Sequence, residues 1–131
     1  MPLSTDSPVV RILIVDDQVS NVRLLELALR RGGYMDVAST TDPKQVAALH
    51  LMNHYDLILL DLQMPGMTGF QVMQQLREAE KPHRVVILVI SADPALKLAA
   101  LEAGANDFLS KPFHIIDVID RVRLLMANVI R

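Results

Sequence analysis

No cysteine occurs among the 131 residues, which excludes disulfides, thiolate metal sites and thiol chemistry, and suits a reducing cytosol. Positive charge is not in excess either. With 13 Lys and Arg against 15 Asp and Glu, the formal charge of −2 offers no field for holding a nucleic-acid backbone, so direct nucleic-acid binding is not expected. The longest apolar run, Val85 to Ile90, is far too short to span a bilayer, and the polar stretch Met1 to Pro8 lacks the apolar centre of a signal peptide. A soluble cytoplasmic protein is expected. Internal repeats, low-complexity tracts and Gly-rich phosphate loops of the dinucleotide or P-loop pattern are also lacking.

What is present suffices for one compact domain: a 51% hydrophobic composition can fill a sizeable core at this length. The expected organisation is a flexible segment over 1–8, then one domain over 9–131. Short β-branched runs alternate with longer amphipathic stretches. The strand candidates are Arg11–Val15, Met35–Ser39, Leu57–Leu60, Val85–Ile90 and Asp107–Ser110. Leu57-Ile58-Leu59-Leu60 and the run from Val85 are apolar at every position, as in parallel strands buried on both faces. Helices are expected over Val19 to Arg31, ended by Gly32-Gly33 in a left-handed cap, and from about Phe70 to Glu78. Two more open at Asp42-Pro43 and Asp93-Pro94, each an N-cap acceptor followed by proline in the first turn, and a fifth runs from Ile115 to the end. Five strand-and-helix units with right-handed crossovers give a doubly wound α/β sheet, helices on both faces.

Chemistry-bearing residues gather at the carboxyl ends of the strands. Asp16 and Asp17 follow the first strand and Asp61 the third; if those strands are neighbours, three carboxylates share one crevice. Their mutual repulsion and partial desolvation call for a cation, and Mg2+ fits best because it takes one or two carboxylates, keeps waters and accepts phosphate oxygen. Ser91 and Lys111 fall at the same edge. A hydroxyl and an ammonium aimed at acids suit the oxygens of a transferring phosphoryl group, with an aspartate as nucleophile.

These residues resemble the response-regulator receiver domain of two-component systems, from about Arg11 to Met126. The resemblance is carried by Ile14-Val15-Asp16-Asp17, by Leu59 through Gly69, by Ile90-Ser91-Ala92 and by Lys111-Pro112-Phe113. It implies a five-stranded flavodoxin-like sheet of order 2-1-3-4-5, with phosphorylation on Asp61. Mg2+ would be held by Asp16, Asp17, Asp61 and the backbone carbonyl of Gln63, and Ser91 and Lys111 would contact the phosphoryl group. A cis Lys111-Pro112 peptide and a switch pair of Ser91 and Phe108 are also implied, as is a donor that is a sensor histidine kinase or a histidine phosphotransfer protein. Gln63 and Asp93 occupy positions that influence phosphoryl lifetime in the family. Such a domain catalyses only its own phosphorylation and dephosphorylation.

Plainer readings stand beside these. Asp16 or Asp17 alone could cap the first helix, Asp93 could be only an N-cap, Phe108 could be core filling, and the seven Met residues packing. Pro65, Gly66 and Gly69 are turn residues first, although their turn also lets the backbone after Asp61 approach a phosphate. His50 and His54 lack a third metal ligand. In the last helix Ile115, Val118, Val122, Leu125 and Val129 form one stripe. Ile116, Ile119, Met126 and Ile130 form an adjoining one, and the two together are wider than docking on a sheet requires. The second stripe is a candidate dimer contact, within a surface of helix 4, strand 5 and helix 5, or the start of a helix toward a C-terminal output domain. Asp16-Asp17-Gln18-x-x-Asn21 and Asp107 through Phe113 look similar to receivers that precede cyclic-di-GMP phosphodiesterase domains of HD-GYP type. Competing functions are a haloacid-dehalogenase-type phosphatase, which places its nucleophile in Asp-x-Asp after the first strand, and a pseudo-receiver that only binds protein.

Overall fold

A computed structural model describes residues 9–79 and 84–127 of the chain. The expected segment 1–8 and the stripe residues Val129 and Ile130 lie outside the described residues. Five strands, β1 (Arg11–Val15), β2 (Asp36–Thr40), β3 (Leu57–Leu60), β4 (Val86–Ser91) and β5 (Asp107–Ser110), form one parallel sheet of order β2-β1-β3-β4-β5. The helices are α1 (Val19–Arg31), α2 (Val46–Asn53), α3 (Gly69–Ala79), α4 (Lys97–Glu102) and α5 (Ile115–Met126).

The continuous apolarity of the strands has a direct consequence. Successive side chains point to opposite faces, so each strand feeds two cores. Leu13, Val15, Ile58, Leu60, Ile87, Val89 and Phe108 meet Val46, Val72, Met73, Leu76 and Ala100 of α2, α3 and α4 on one face. Ile12, Ile14, Leu57, Leu59, Leu88, Ile90 and Leu109 meet Val22, Leu25, Leu29, Val118, Val122 and Met126 of α1 and α5 on the other.

Local punctuation acts largely as its chemistry dictates. The α1 terminus is a Schellman motif, with Gly33 N–H on Arg30 O at 3.0 Å and Tyr34 N–H on Leu29 O at 2.9 Å. The left-handed residue is Gly33 (φ 94°), while Gly32 stays helical (φ −79°). Asp42 and Asp93 both cap as expected, taking the amides of Lys44 and Ala95 at 3.0 Å. Each cap opens a single 3-10 turn, Pro43–Gln45 or Pro94–Leu96, before α2 or α4 begins.

Strand β2 sits one residue later than expected. Parallel pairing aligns Asp36 with Arg11 and Thr40 with Val15, and leaves Met35 exposed. On α5 the second stripe is not a free surface, because Met126 is buried and Ile119 packs against the α1–α5 core. Ile116 alone of its described members is strongly exposed, at 67%.

Candidate functional site

Strand register decides which acids meet. Val15 pairs with Leu60, so the next residues, Asp16 and Asp61, emerge side by side. The ladder continues one step further, with Asp61 N–H on Val15 O at 3.0 Å and Asp16 N–H on Thr40 O at 3.3 Å. Ligand atoms of Asp16, Asp17 and Asp61 all lie within 4.8 Å of one another. Asp16 and Asp61 are buried, and Asp17 is half-buried.

Ser91 is the last residue of β4 and pairs with Ser110, so Lys111 leaves β5 beside it, its amide donating to Ser91 O at 2.8 Å. The Lys111 ammonium reaches 3.0 Å from Asp16 Oδ2 and 3.5 Å from Asp61 Oδ2. Ser91 is completely buried, and its Oγ accepts the Asp93 amide at 3.2 Å. The Lys111-Pro112 peptide is cis, as the resemblance implied.

The two buried carboxylates, Asp16 and Asp61, are also held by local amides. Gln18 N–H donates to Asp16 Oδ1 at 2.9 Å, and Gln63 N–H to Asp61 Oδ1 at 3.3 Å. Asp16 is not the N-cap of α1, which is Gln18 and makes no side-chain cap; Asp16 Oδ1 takes the Gln18 amide at the helix start while its Oδ2 faces Lys111 in the site. Burial pushes the Asp61 carboxyl above the usual carboxylate range. Lys111 opposes that rise, Asp16 adds to it, the Gln63 amide opposes it, and Asp17 adds to it least.

An all-oxygen cluster of three carboxylates with one ammonium at its edge fits a hard divalent cation such as Mg2+. It is the one grouping of three or more His, Cys, Asp or Glu side chains with metal-ligand spacing among the described residues. Asp16, Asp17, Asp61, Ser91, Lys111 and the Gln63 backbone are thus brought to one edge. Phe108 is not part of that edge. It is buried in the core shared with Val89, Leu96 and Ala100, and its carbonyl accepts Arg121 Nη1 at 3.1 Å. Nor do His50 and His54 form a metal pair, since His50 Nδ1 accepts the Tyr55 amide at 3.1 Å and its ring stacks on Tyr55.

Two features escaped the sequence reading. Thr68 and Gln71 form a reciprocal capping box at the start of α3, with Thr68 N–H on Gln71 Oε1 at 2.9 Å and Gln71 N–H on Thr68 Oγ1 at 3.2 Å. The Thr-x-x-Gln spacing was its visible signal. Arg77 of α3 donates to Val85 O at 2.8 Å, Gly104 O at 2.6 Å and Asn106 Oδ1 at 3.2 Å, and nothing local in the sequence announces that reach.

Comparison with known proteins agrees with this geometry. Residues 12–123 match the family described as the response regulator receiver domain. The chain is 36% identical over 118 residues to the response regulator ArlR of Staphylococcus saprophyticus, covering 90% of this chain and 53% of that protein. It is 39% identical over 119 residues to the transcriptional regulatory protein ResD of Bacillus subtilis, covering 90% and 48%. The chain thus spans about half the length of these curated relatives. Among solved structures, the chemotaxis protein CheY4 of Vibrio cholerae superposes with a TM-score of 0.82 at 26% identity, covering 90% of this chain and 99% of that one. The receiver domain of the sensor histidine kinase PA1611 from Pseudomonas aeruginosa PAO1, with magnesium coordinated in its active site cleft, gives a TM-score of 0.82 at 28% identity, covering 92% and 100%. The haloacid-dehalogenase reading is set aside by these findings. This chain belongs to the response regulator receiver domain family, the phosphorylation-dependent switches of two-component signalling.

Proposed function

We propose that Asp61 is the phosphoacceptor, in a magnesium-dependent transfer from the phosphohistidine of a sensor histidine kinase or a histidine phosphotransfer protein. The observation that carries this reading is the Lys111 ammonium set 3.0 Å and 3.5 Å from two buried acids that share a crevice with a third. Asp16, Asp17 and Asp61 would hold the ion together with the Gln63 carbonyl, where it would neutralise charge on the phosphoryl oxygens. A carboxylate oxygen of Asp61 forms the new P–O bond as the donor P–N bond breaks. The electron pair leaves on the imidazole nitrogen, which then takes a proton. Lys111 balances the charge of the attacking carboxylate and then of the acyl phosphate, and the buried Ser91 hydroxyl supplies a neutral donor to a phosphoryl oxygen.

The new group is larger and more negative than the carboxylate, so contacts to Ser91 and Lys111 bias the segments that carry them, β4 with its turn into α4, and β5. Phe108, buried beneath α4, is the ring that would respond. The readout surface is α4, β5 and α5, supported by exposed Leu98 (68%) and Ile116 (67%), and a homodimer or an output domain is its partner. A cytoplasmic location, where a kinase's phosphohistidine is accessible, belongs to the same reading; among the described residues no helix is long and apolar enough to cross a membrane. The similarity to receivers of HD-GYP regulators rests on the two sequence motifs alone.

Acetyl phosphate with Mg2+ should label the chain once, as read by intact mass, and Asp61→Asn should remove the label. Undiminished labelling of that variant would place the nucleophile elsewhere.

A further inference from the structure

Gly69 is the first residue of α3, and it is buried. Its amide donates to Leu62 O at 3.0 Å, so residues 62–69 make a closed loop rooted on Asp61. A Cβ at Gly69 would strike the Asp61 carbonyl oxygen, and would lie 2.8 Å from Leu62 Cα and 2.9 Å from Leu62 Cδ2, where ordinary contact begins near 3.4 Å. Two of these three atoms are backbone and cannot swing aside. Gly69 does not have a positive φ, so the requirement is for space and not for an unusual conformation.

We propose that Gly69 is a positioning residue for phosphoryl transfer: its missing side chain lets the first turn of α3 press on the Asp61–Leu62 backbone and so fixes the attacking carboxylate and the Gln63 main chain. The proposal rests on the reading of Asp61 as phosphoacceptor. Loop 62–68 is pinned at both ends. Its start carries the Gln63 amide bonded to Asp61 Oδ1, and its end carries the Thr68–Gln71 capping box and the Gly69 contact. An added methyl therefore cannot be absorbed by the loop alone and must move α3 or Asp61. A displacement of about 1 Å at a reacting atom costs on the order of a hundredfold in rate.

The test compares Gly69→Ala with Gly104→Ala in the whole chain. The second variant adds a Cβ 2.9 Å from Arg77 Nε, beside the turn between α4 and β5 and away from the acids. Readouts are the phosphorylation rate with acetyl phosphate at saturating Mg2+, the Mg2+ dissociation constant by calorimetry, and the melting temperature. Gly69→Ala should lose at least tenfold in rate and weaken Mg2+ severalfold while still melting cooperatively. Gly104→Ala should melt lower with a rate within twofold of wild type. A folded Gly69→Ala at wild-type rate overturns the proposal, as does an equal rate loss in Gly104→Ala. Should Gly69→Ala not fold, Thr68→Ala, which loosens the same turn without adding bulk, takes its place: a severalfold slower rate supports the proposal and an unchanged rate overturns it. Labelling of Asp61→Asn at the wild-type rate would instead sink the phosphoacceptor reading itself.

Discussion

Asp61→Asn should make the metal-free domain more stable, although it removes one partner of an ion pair. Two acids lie within 4.8 Å of Asp61 and the Lys111 ammonium is 3.5 Å away. At an effective dielectric of about 20, each repulsion is up to about 3.5 kcal/mol, Asp17's being the weaker, and the attraction about 5 kcal/mol, so the repulsions exceed the attraction by up to about 2 kcal/mol. Burial adds to the same side, as the raised Asp61 carboxyl already indicates. The amide oxygen of Asn can still accept the Gln63 N–H, and Lys111 keeps Asp16 at 3.0 Å. A gain of up to about 2 kcal/mol corresponds to at most roughly 5–10 °C for a domain of this size. Thermal unfolding in EDTA at pH 7.5 reads it directly.

Two further arms make the reasoning strict. Mg2+ at about ten times its dissociation constant should stabilise wild type by about 1.4 kcal/mol, and Asp61→Asn clearly less. On acidification the unfolded chain, with its ordinary carboxyl, protonates Asp61 later than the folded chain does, so between the two pKa values the folded state holds more protons. Wild-type stability therefore falls as pH rises toward the raised pKa, and the penalty is complete above it. The advantage of Asn should shrink as pH is lowered through that value. A variant melting at or below wild type in EDTA, or a gap that widens in acid, would refute the electrostatic account.

Lys111→Met should destabilise the metal-free protein by about 3 kcal/mol in urea unfolding, because Asp16, 1% exposed, loses its ammonium partner. Mg2+ should restore part of that loss, and acetyl phosphate labelling should slow at least tenfold without vanishing. Arg77→Ala strips donors from Val85 O, Gly104 O and Asn106 Oδ1 and should cost about 2–3 kcal/mol by urea titration, with labelling of Asp61 retained. Gly33→Ala meets open space but a φ of +94°, so its cost of about 1 kcal/mol is purely conformational and should appear as a few degrees in melting temperature with no change in labelling.

Much of this protein was readable along the chain because its signals are local. Runs such as Leu57–Leu60 announce a strand buried on both faces, and Asp-Pro pairs announce helix starts. Acid pairs placed just past strand ends announce chemistry. The sequence determined that these elements exist, and that acids, a hydroxyl and an ammonium leave the strands at the same end. Tertiary structure decided the rest, because pairing register and crowding are properties of partners distant in sequence. Register set β2 one residue later than its composition implied, and it placed Asp16 beside Asp61. Packing consumed Ile119 and Met126, which periodicity alone had left facing outward. Gly69 reads as a turn residue until α3 is laid against the Asp61 backbone, where the limiting quantity is the space left between two main chains.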